Sequence, residues 1–237
     1  SSDLIPGSIV QKIRPRISQT SLILWLTYVI MTGVLFVLLW LSGMPFFDAL
    51  CHALVTVATS GCSIKNESLA FYDNPLIYWI VILFMFMAGT NFSLYYVALK
   101  EKTLLTFWRN AEFRLYTKII LLFILILTVH LILVEDLKIF EALTLAGFNI
   151  ISAMTTTGFT INDYESWPYF AQALIIALLF VGGCMGSTSG SIKVGRYLIL
   201  LKQCVSELRQ SIHPRAILYL KMDGKKVEEQ LLINVLT

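Results

Sequence analysis

Residues 155–160 read Thr155-Thr156-Thr157-Gly158-Phe159-Thr160 and lie within a stretch, Ala142 to Asn162, that contains no charged residue. A hydroxyl-rich run with a glycine makes a poor lipid-facing helix, because glycine has low helix propensity and unwound backbone leaves amide groups unpaired in hydrocarbon. Such backbone is tolerated at membrane depth only where it is buried in protein or lines water. Rings of backbone carbonyls that replace an ion's hydration shell are one such use. The stretch therefore indicates an ion path.

The composition is that of a membrane protein. Of the 237 residues, 57% are hydrophobic and 14% are charged, and the mean hydropathy is +0.75. A bilayer core takes about 20 apolar residues per helix, and several uncharged stretches approach or exceed that length. The sequence therefore predicts an all-α integral membrane protein. Its spans are expected near Ser18 to Ser42, Pro75 to Leu99, Phe113 to Val134 and Pro168 to Gln203.

The chain contains one structural plan twice. Each copy has a long apolar helix, a shorter apolar segment that ends at a glycine, an acidic loop, and a second helix that begins with proline. The central glycines are Gly61 and Gly158, and the prolines are Pro75 and Pro168. Each proline is followed 14 residues later by another glycine. Since few side chains are identical between the copies, the repeat is inferred from these anchor positions.

The charge distribution decides whether the short segments, Phe46 to Ser63 and Ala142 to Thr160, cross the membrane. If both crossed, the basic cluster within Lys100 to Lys118 would lie on the side opposite to the one at 12–16. That arrangement contradicts the excess of basic residues in cytoplasmic loops. If both segments enter and return, only two of the 18 basic residues lie outside. We therefore predict two re-entrant segments.

The re-entrant topology predicts tandem helix–pore loop–helix units. Half-length pore helices are expected near Pro45 to Val57 and Phe140 to Met154. The expected boundaries are a cytoplasmic lead-in over 1–16, a first unit over 17–100, a cytoplasmic connector over 101–112, a second unit with a broken second span over 113–203, and a cytoplasmic extension with the start of a further unit over 204–237.

The loops after the pore helices are the predicted selectivity filter. A pore helix whose carboxyl end points into the membrane presents partial negative charge there, and the loop after it supplies carbonyl oxygens, so both favour a cation. The predicted filter residues are Thr59, Ser60, Gly61, Cys62, Thr156, Thr157, Gly158 and Phe159. The alternative is a set of small residues for close helix packing. That alternative explains neither the re-entry nor the acidic outer loops.

Ten small or flexible residues, Gly182 to Ser191, interrupt the last predicted span. Glycine inside a helix costs about 1 kcal/mol relative to alanine, so the four glycines here disfavour a helix. A flexible loop beneath a filter can act as a gate, although a packing face of small residues is the alternative. The predicted gate residues are Gly182, Gly183, Gly186, Ser187, Thr188, Ser189, Gly190, Ser191, Lys193 and Arg196. The equivalent stretch of the first unit, Ala88 to Ser93, is much milder, but its Asn91 needs a polar partner.

The two basic residues after the gate, Lys193 and Arg196, allow two interpretations. Their side chains either extend to the cytoplasmic face, as long basic side chains often do, or they repel ions and tether the gate loop. No GxxxxGK[ST] pattern is present, so the loop is not expected to bind a nucleotide.

Three stretches resemble the Trk/Ktr/HKT superfamily of potassium transporters, and its bacterial Trk type most closely. They are Thr155 to Thr160, Gly182 to Val194, and His213-Pro214-Arg215. The opening at Arg14 to Ile17 and the connector at Trp108 to Phe113 are similar as well. The resemblance implies a potassium-channel-like fold in which four units surround one pore with four-fold pseudosymmetry, and this chain corresponds to units two and three. It places K⁺ at Ser60, Gly61, Thr157 and Gly158.

The resemblance also implies the partners. Family members are homodimers in the lipid of the bacterial inner membrane, and they bind a cytosolic ring of nucleotide-binding regulatory subunits. Potassium is the substrate, any nucleotide belongs to the regulatory partner, and neither a cofactor in this chain nor a nucleic-acid partner is expected. The first filter departs from the family pattern, because Ser60-Gly61-Cys62 stands where Gly-Gly-Phe is expected.

Two hairpins cannot enclose a pore, so we expect further units before Ser1 and after Thr237. A two-unit protein that closes its pore as a dimer is the alternative. The expected function is potassium uptake rather than enzymatic activity. Two other functions remain open: a regulatory or structural membrane subunit with a degenerate pore, and an intramembrane hydrolase with Ser187 or Ser189 as nucleophile and His130 as base. The hydrolase is disfavoured because His130 is predicted near the opposite membrane face.

Overall fold

The structure is a computed structural model that describes residues 17–212, 221–222 and 225–226. The predicted lead-in over 1–16 and most of the predicted extension, including His213-Pro214-Arg215, lie outside the described residues. The helices and strands are α1 (Ile17–Leu41), α2 (Phe46–Ala58), α3 (Pro75–Ala88), α4 (Phe92–Glu101), α5 (Leu105–Arg109), α6 (Ala111–Glu135), α7 (Ile139–Met154), α8 (Tyr169–Leu179), α9 (Val194–Ile212), β1 (Lys221–Met222) and β2 (Lys225–Lys226). Short 3₁₀ turns lie at Ser68–Tyr72 and Tyr164–Ser166.

Two helices are long and apolar enough to cross a membrane unaided. They are α6, with 25 residues, and the part of α1 from Ser21 to Leu41, with 21 residues. At 1.5 Å per residue, each covers the roughly 30 Å of a hydrocarbon core. Most of the side chains in both helices are not buried within this chain, so they face lipid or further protein. The predicted all-α membrane fold is confirmed.

The second span of the first unit is bent, whereas the sequence predicted one continuous helix from Pro75 to Leu99. The axes of α3 and α4 meet at 91°. The break lies at a point of close packing, because a Cβ on Gly89 would lie 2.3 Å from the hydroxyl of Tyr116. A new helix then begins because Asn91 Oδ1 accepts a hydrogen bond from the amide of Ser93 at 2.9 Å, which is typical of a helix N-cap.

The last predicted span is also divided into two helices. With 11 residues, α8 is about 16 Å long and cannot cross a hydrocarbon core by itself. The chain is non-helical from residue 181 to 193 and resumes as α9 at Val194. The glycine-rich stretch thus interrupts the helix where the sequence predicted a break.

The pore helices α2 and α7 enter the membrane and return. They have 13 and 16 residues, or about 20 and 24 Å, which is too short to cross. In the first unit, the side-chain amide of Asn74 donates to the carbonyl of Ser42 at 3.4 Å. The hydroxyl of Tyr72 donates to Asp48 Oδ2 at 2.7 Å. The two ends of the segment therefore lie close together, which is the arrangement that the predicted re-entry requires.

Helix α7 joins the two units. It packs against α3 of the first unit and against α6 and α8 of its own unit. Phe148 on α7 is fully buried, and its ring centroid lies 6.1 Å from that of Tyr78 on α3. Burying a large apolar side chain contributes about 1.5 to 3 kcal/mol. The two units therefore share one packed core, and that core fixes the relative position of the two pore helices.

Candidate functional site

The predicted filter loops have the same backbone conformation. Thr59 and Thr156 each follow a pore helix with a positive φ, 51° and 55°, and the glycines two residues later, Gly61 and Gly158, have φ of 71° and 83°. Positive φ is a strained conformation for a β-branched residue, and such strain persists where the surroundings enforce it. The repeat inferred from anchor positions therefore extends to backbone angles.

The two filter loops contact each other. A Cβ on Gly61 would lie 1.9 Å from the carbonyl oxygen of Thr157, and a Cβ on Gly158 would lie 4.0 Å from the Cα of Gly61. Ser60 and Gly158 are exposed, whereas Thr157 and Phe159 are buried. The four residues predicted to hold K⁺ are thus brought to one place, where the carboxyl ends of α2 and α7 meet.

Hydrogen bonds from α7 hold the second filter loop. The hydroxyl of Ser152 donates to the carbonyl of Phe159 at 2.8 Å, and the amide of Thr157 donates to the carbonyl of Ser152 at 2.9 Å. The hydroxyls of Thr155 and Thr157 lie 2.7 Å apart. Sequence reasoning missed Ser152. A hydroxyl one turn before the end of a buried pore helix was the only available signal.

Equivalent polar residues tie each pore helix to the chain after its filter. His52 Nε2 lies 3.1 Å from the hydroxyl of Ser63, and Asn149 Nδ2 donates to Asn162 Oδ1 at 2.8 Å. His52 and Asn149 also each pair with the carbonyl four residues earlier, at 2.7 and 2.9 Å. Both residues therefore have a structural role behind the filter.

A charged cluster lies on the outer side of the first filter. The carboxylate of Asp48 is buried, accepts the hydroxyl of Tyr72 and lies 3.5 Å from the ammonium of Lys65. The same ammonium lies 4.6 Å from the ring centroid of Phe71. Burial and the bond to Asp48 raise the pKa of Tyr72. The cluster connects the start of α2 to the loop that leaves the filter.

The glycine-rich loop lies against the ends of both pore helices. The hydroxyl of Thr188 donates to the carbonyl of Val57 at 2.9 Å, near the end of α2. The amide of Gly190 donates to the hydroxyl of Thr156 at 2.6 Å, in the second filter loop. The predicted gate residues thus contact the end of the first pore helix and the second predicted filter loop.

The loop also pairs with the bend in the first unit. The amide of Cys184 donates to the carbonyl of Gly89 at 2.8 Å, and the amide of Phe92 donates to the carbonyl of Gly186 at 3.2 Å. A Cβ on Gly183 would lie 2.5 Å from the same Gly89 oxygen. These contacts satisfy backbone groups that the two broken spans would otherwise leave unpaired.

Lys193 binds the loop rather than extending away from it. Its ammonium donates to the carbonyl and the hydroxyl of Ser187 at 3.4 and 3.3 Å, and to the carbonyl and the hydroxyl of Ser189, the latter at 3.2 Å. This geometry matches the tethering interpretation for Lys193. Arg196, in contrast, makes no side-chain hydrogen bond or ion pair within the described part of the chain.

Glu112 is a site residue that sequence reasoning missed. Although it belongs to the first turn of α6, its Oε1 accepts hydrogen bonds from the amides of Met185 at 2.5 Å and Gly195 at 3.0 Å. The residue is 4% exposed. Its position after a basic connector indicated an ordinary acid at the start of a helix, so the contact was not predictable from local pattern.

The residues of the alternative hydrolase are not assembled. The hydroxyl of Ser187 pairs with the carbonyl of Cys184 at 2.6 Å and lies 2.8 Å from the hydroxyl of Ser189. The ring centroid of His130 lies 4.8 Å from that of Phe170, at the start of α8, whereas these serines follow its end. The start and the end of α8 are roughly 16 Å apart, so His130 and these serines lie at opposite ends of that helix. A nucleophile requires its base within hydrogen-bond reach.

Comparisons with known proteins give the family. A family model described as TrkH, a cation transport protein, matches residues 8–237. The Trk system potassium uptake protein TrkH of Salmonella typhimurium is 36% identical over 231 residues, which cover 96% of this chain and 48% of that protein. The Trk system potassium uptake protein TrkG of Escherichia coli K12 is 34% identical over 224 residues, covering 94% and 46%.

A solved structure agrees with this. The crystal structure of the potassium transporter TrkH from Vibrio parahaemolyticus superimposes with a TM-score of 0.86 at 32% identity, over 95% of this chain and 49% of that one. The chain thus spans about half the length of the relatives it matches. The predicted resemblance and the predicted integral membrane localisation are confirmed, and the chain belongs to the TrkH family of cation transport proteins.

Proposed function

We propose that the protein takes up potassium across the bacterial inner membrane as a channel-like transporter. One observation carries this proposal: two loops of matching conformation, centred on Gly61 and Gly158, meet at the carboxyl ends of two re-entrant helices. A glycine-rich loop lies directly against both. Two relatives, which this chain matches over about half of their length, are named potassium uptake proteins.

In the proposed filter, backbone carbonyls of residues 59–62 and 156–159 replace the hydration shell of K⁺. The carboxyl ends of α2 and α7 add partial negative charge at the same depth. Within the second loop, Ser152 engages the carbonyl of Phe159, so the carbonyls of Thr157 and Gly158 are the ligands we assign to the ion. Two further units outside this chain complete the proposed four-fold pseudosymmetric pore.

In the proposed gate, the loop Gly182 to Ser191 blocks the path below the filter. Thr188 and Gly190 hold it against the two pore helices. The ammonium of Lys193 adds a positive charge that repels a cation from below. Conduction then requires the loop to leave these contacts.

The proposed assembly is a homodimer that binds a cytosolic ring of nucleotide-binding regulatory subunits. This proposal rests on family membership. In it, a nucleotide acts on the partner ring, and the membrane chain responds through its cytoplasmic segments.

The test is rubidium uptake by the full-length protein in a host that lacks its own potassium uptake systems. Gly158→Ser should reduce uptake and lower the preference for K⁺ over Na⁺, because φ is +83° at this position and suits glycine. Gly33→Ser is the matched control, since nothing lies within 4 Å of a Cβ there. Uptake that ignores Gly158→Ser would contradict the filter assignment.

A second variant tests the gate. Deletion of Gly186 to Gly190 should raise rubidium flux, and unchanged or lower flux would contradict the assigned gate. The alternative function, a subunit with a degenerate pore, is motivated by Ser60-Gly61-Cys62 in the first loop. It predicts no uptake by the intact wild-type protein, whether or not the regulatory partner is present.

A further inference from the structure

One carboxylate joins both ends of the glycine-rich loop. Glu112 Oε1 accepts from the amide of Met185, near the start of the loop, and from the amide of Gly195, in the first turn of α9. The same oxygen therefore spans the segment that contains Thr188 and Gly190, which bond to Val57 and Thr156. Hydrogen bonds to a charged acceptor are about twice as strong as those between neutral groups.

The surroundings of this carboxylate require a glycine. A Cβ on Gly195 would lie 2.8 Å from Glu112 Oε1 and 2.8 Å from the sulfur of Met185. Contacts below 3.0 Å force atoms to move, so a larger side chain at Gly195 would displace the carboxylate of Glu112 or the thioether of Met185. The burial of Glu112 and the absence of space at Gly195 make this a specific fit.

The position of Glu112 is itself fixed. The side chain of Asn110 caps α6 by accepting from the amide of Phe113 at 2.9 Å. The ring of Phe113 packs against those of Phe107, Trp108 and Phe86 at centroid distances of 5.3, 5.9 and 6.1 Å. Glu112 therefore projects from a helix end that is anchored to the cytoplasmic connector, and it does not move freely with the loop.

A charge of opposite sign holds the loop from its other side. Lys193 binds Ser187 and Ser189 within the loop, and the opposite charges of Lys193 and Glu112 attract one another. Removing Glu112 would therefore take this acceptor away from two buried amides and remove a negative charge that attracts Lys193.

We infer that Glu112 is a positioning residue that holds the glycine-rich loop closed and attaches it to the connector between the two units. This inference rests on the proposed function of the loop as a gate. In the resulting picture, opening requires both amides to leave Glu112, so the connector, and not only the loop, sets how often the pore opens.

The experiment compares full-length wild-type protein with Glu112→Ala in native membranes. Cys184 is a built-in reporter, because it is fully buried in the closed loop. Membranes are treated with N-ethylmaleimide, and modification is measured by mass spectrometry on the peptide that contains Cys184. Rubidium uptake is measured in parallel as maximal rate and half-saturating concentration.

Glu112→Ala should raise the rate of Cys184 modification by about tenfold, as expected from the loss of charged hydrogen bonds. The maximal uptake rate should rise, while the half-saturating concentration and the K⁺ over Na⁺ preference stay unchanged, because the filter is intact. Glu112→Gln keeps an oxygen acceptor and should fall between wild type and alanine. Glu101→Ala is the matched control, since Glu101 is an exposed acid on the same connector whose carboxylate pairs with Thr106.

Unchanged Cys184 modification in Glu112→Ala would overturn the inference, and so would faster modification with a lost K⁺ preference, which indicates general unfolding. If Glu112→Ala fails to reach the membrane, Gly195→Ala is used instead, because it disturbs the contact between Glu112 and Gly195. It is judged by the same two measurements, Cys184 modification and rubidium uptake. If the wild-type protein takes up no rubidium, the proposed function fails, yet Cys184 modification still decides whether Glu112 holds the loop.

Discussion

Gly61 lies against the carbonyl oxygen of Thr157, with no room for a Cβ between them. The two residues belong to different units, so the steric requirement for glycine in the first loop is imposed by the second. Such a contact makes the geometry of one filter loop depend on the other. It also distinguishes the two central glycines, which local sequence treats as equivalent.

We expect Gly61→Ala to impair potassium uptake more than Gly158→Ala. Both substitutions place alanine at positive φ, at a cost of about 1 to 2 kcal/mol. Only Gly61→Ala adds a clash with backbone, at 1.9 Å. Rubidium uptake and the K⁺ over Na⁺ ratio measure the difference. Equal effects of the two variants would show that the loops do not touch in the membrane.

Ser152→Ala should lower the K⁺ over Na⁺ preference. It removes the 2.8 Å bond to the carbonyl of Phe159 and with it about 1 kcal/mol of support for the second loop. The control is Thr144→Ala on the same helix, whose hydroxyl bonds only to its own turn at the carbonyl of Phe140. A selectivity change of the same size in both variants would argue against a specific role for Ser152.

Lys193→Met should increase ion flux at unchanged selectivity, whereas Arg196→Met should leave flux near wild type. The ammonium of Lys193 contacts Ser187 and Ser189, and Arg196 makes no such side-chain contact within the described residues. Single-channel or flux measurements on purified full-length protein in vesicles test this. Reduced flux in Lys193→Met would indicate that the ammonium supports the open state instead.

Tyr72→Phe should destabilise the outer cluster more than Lys65→Met. A buried hydrogen bond to a carboxylate contributes about 1.5 to 3 kcal/mol, whereas a partly exposed ion pair contributes at most about 1 kcal/mol. Thermal unfolding in detergent, at neutral pH, should show the larger shift for Tyr72→Phe. The reverse order would mean that the ion pair with Asp48 is the stronger contact.

A comparison of wild-type protein with Tyr72→Phe also tests the pKa of Tyr72. Because that pKa is raised in the folded protein, the neutral hydroxyl is favoured. Its stabilising contribution is fully present below the unfolded value of about 10 and is lost as pH rises through the folded value. The stability difference between wild type and Tyr72→Phe should therefore be constant near neutral pH and shrink under alkaline conditions. A difference that grows with pH would contradict this assignment.

The parts of the fold that follow from periodicity and charge were predictable. The shared distance of 14 residues from Pro75 and Pro168 to a glycine revealed the repeat, and basic residues fixed the side of each loop. Those charges also predict the re-entry of the first segment. The length of α2 agrees with this, because a helix of 13 residues is too short to cross. These signals lie in the order of residues along the chain, and none of them requires a contact between distant residues.

The contacts that were missed join residues far apart in the chain. Glu112 meets Met185 across 73 residues, and the hydroxyl of Tyr116 leaves no room for a Cβ on Gly89. The residues next to Glu112 and Gly89 do not reveal these contacts, because an acid at the start of a helix and a single glycine in a span have ordinary local explanations. Only the packing of the two units determines that these positions are special.

The pairing between the two broken spans has a consequence for synthesis in the cell. The carbonyl of Gly89 and the amide of Phe92 find their partners on Cys184 and Gly186, which the ribosome adds more than 90 residues later. Until then, the first unit carries unpaired backbone in hydrocarbon, which costs several kcal/mol per group. We therefore expect the first unit to reach its final shape only after the second has been inserted.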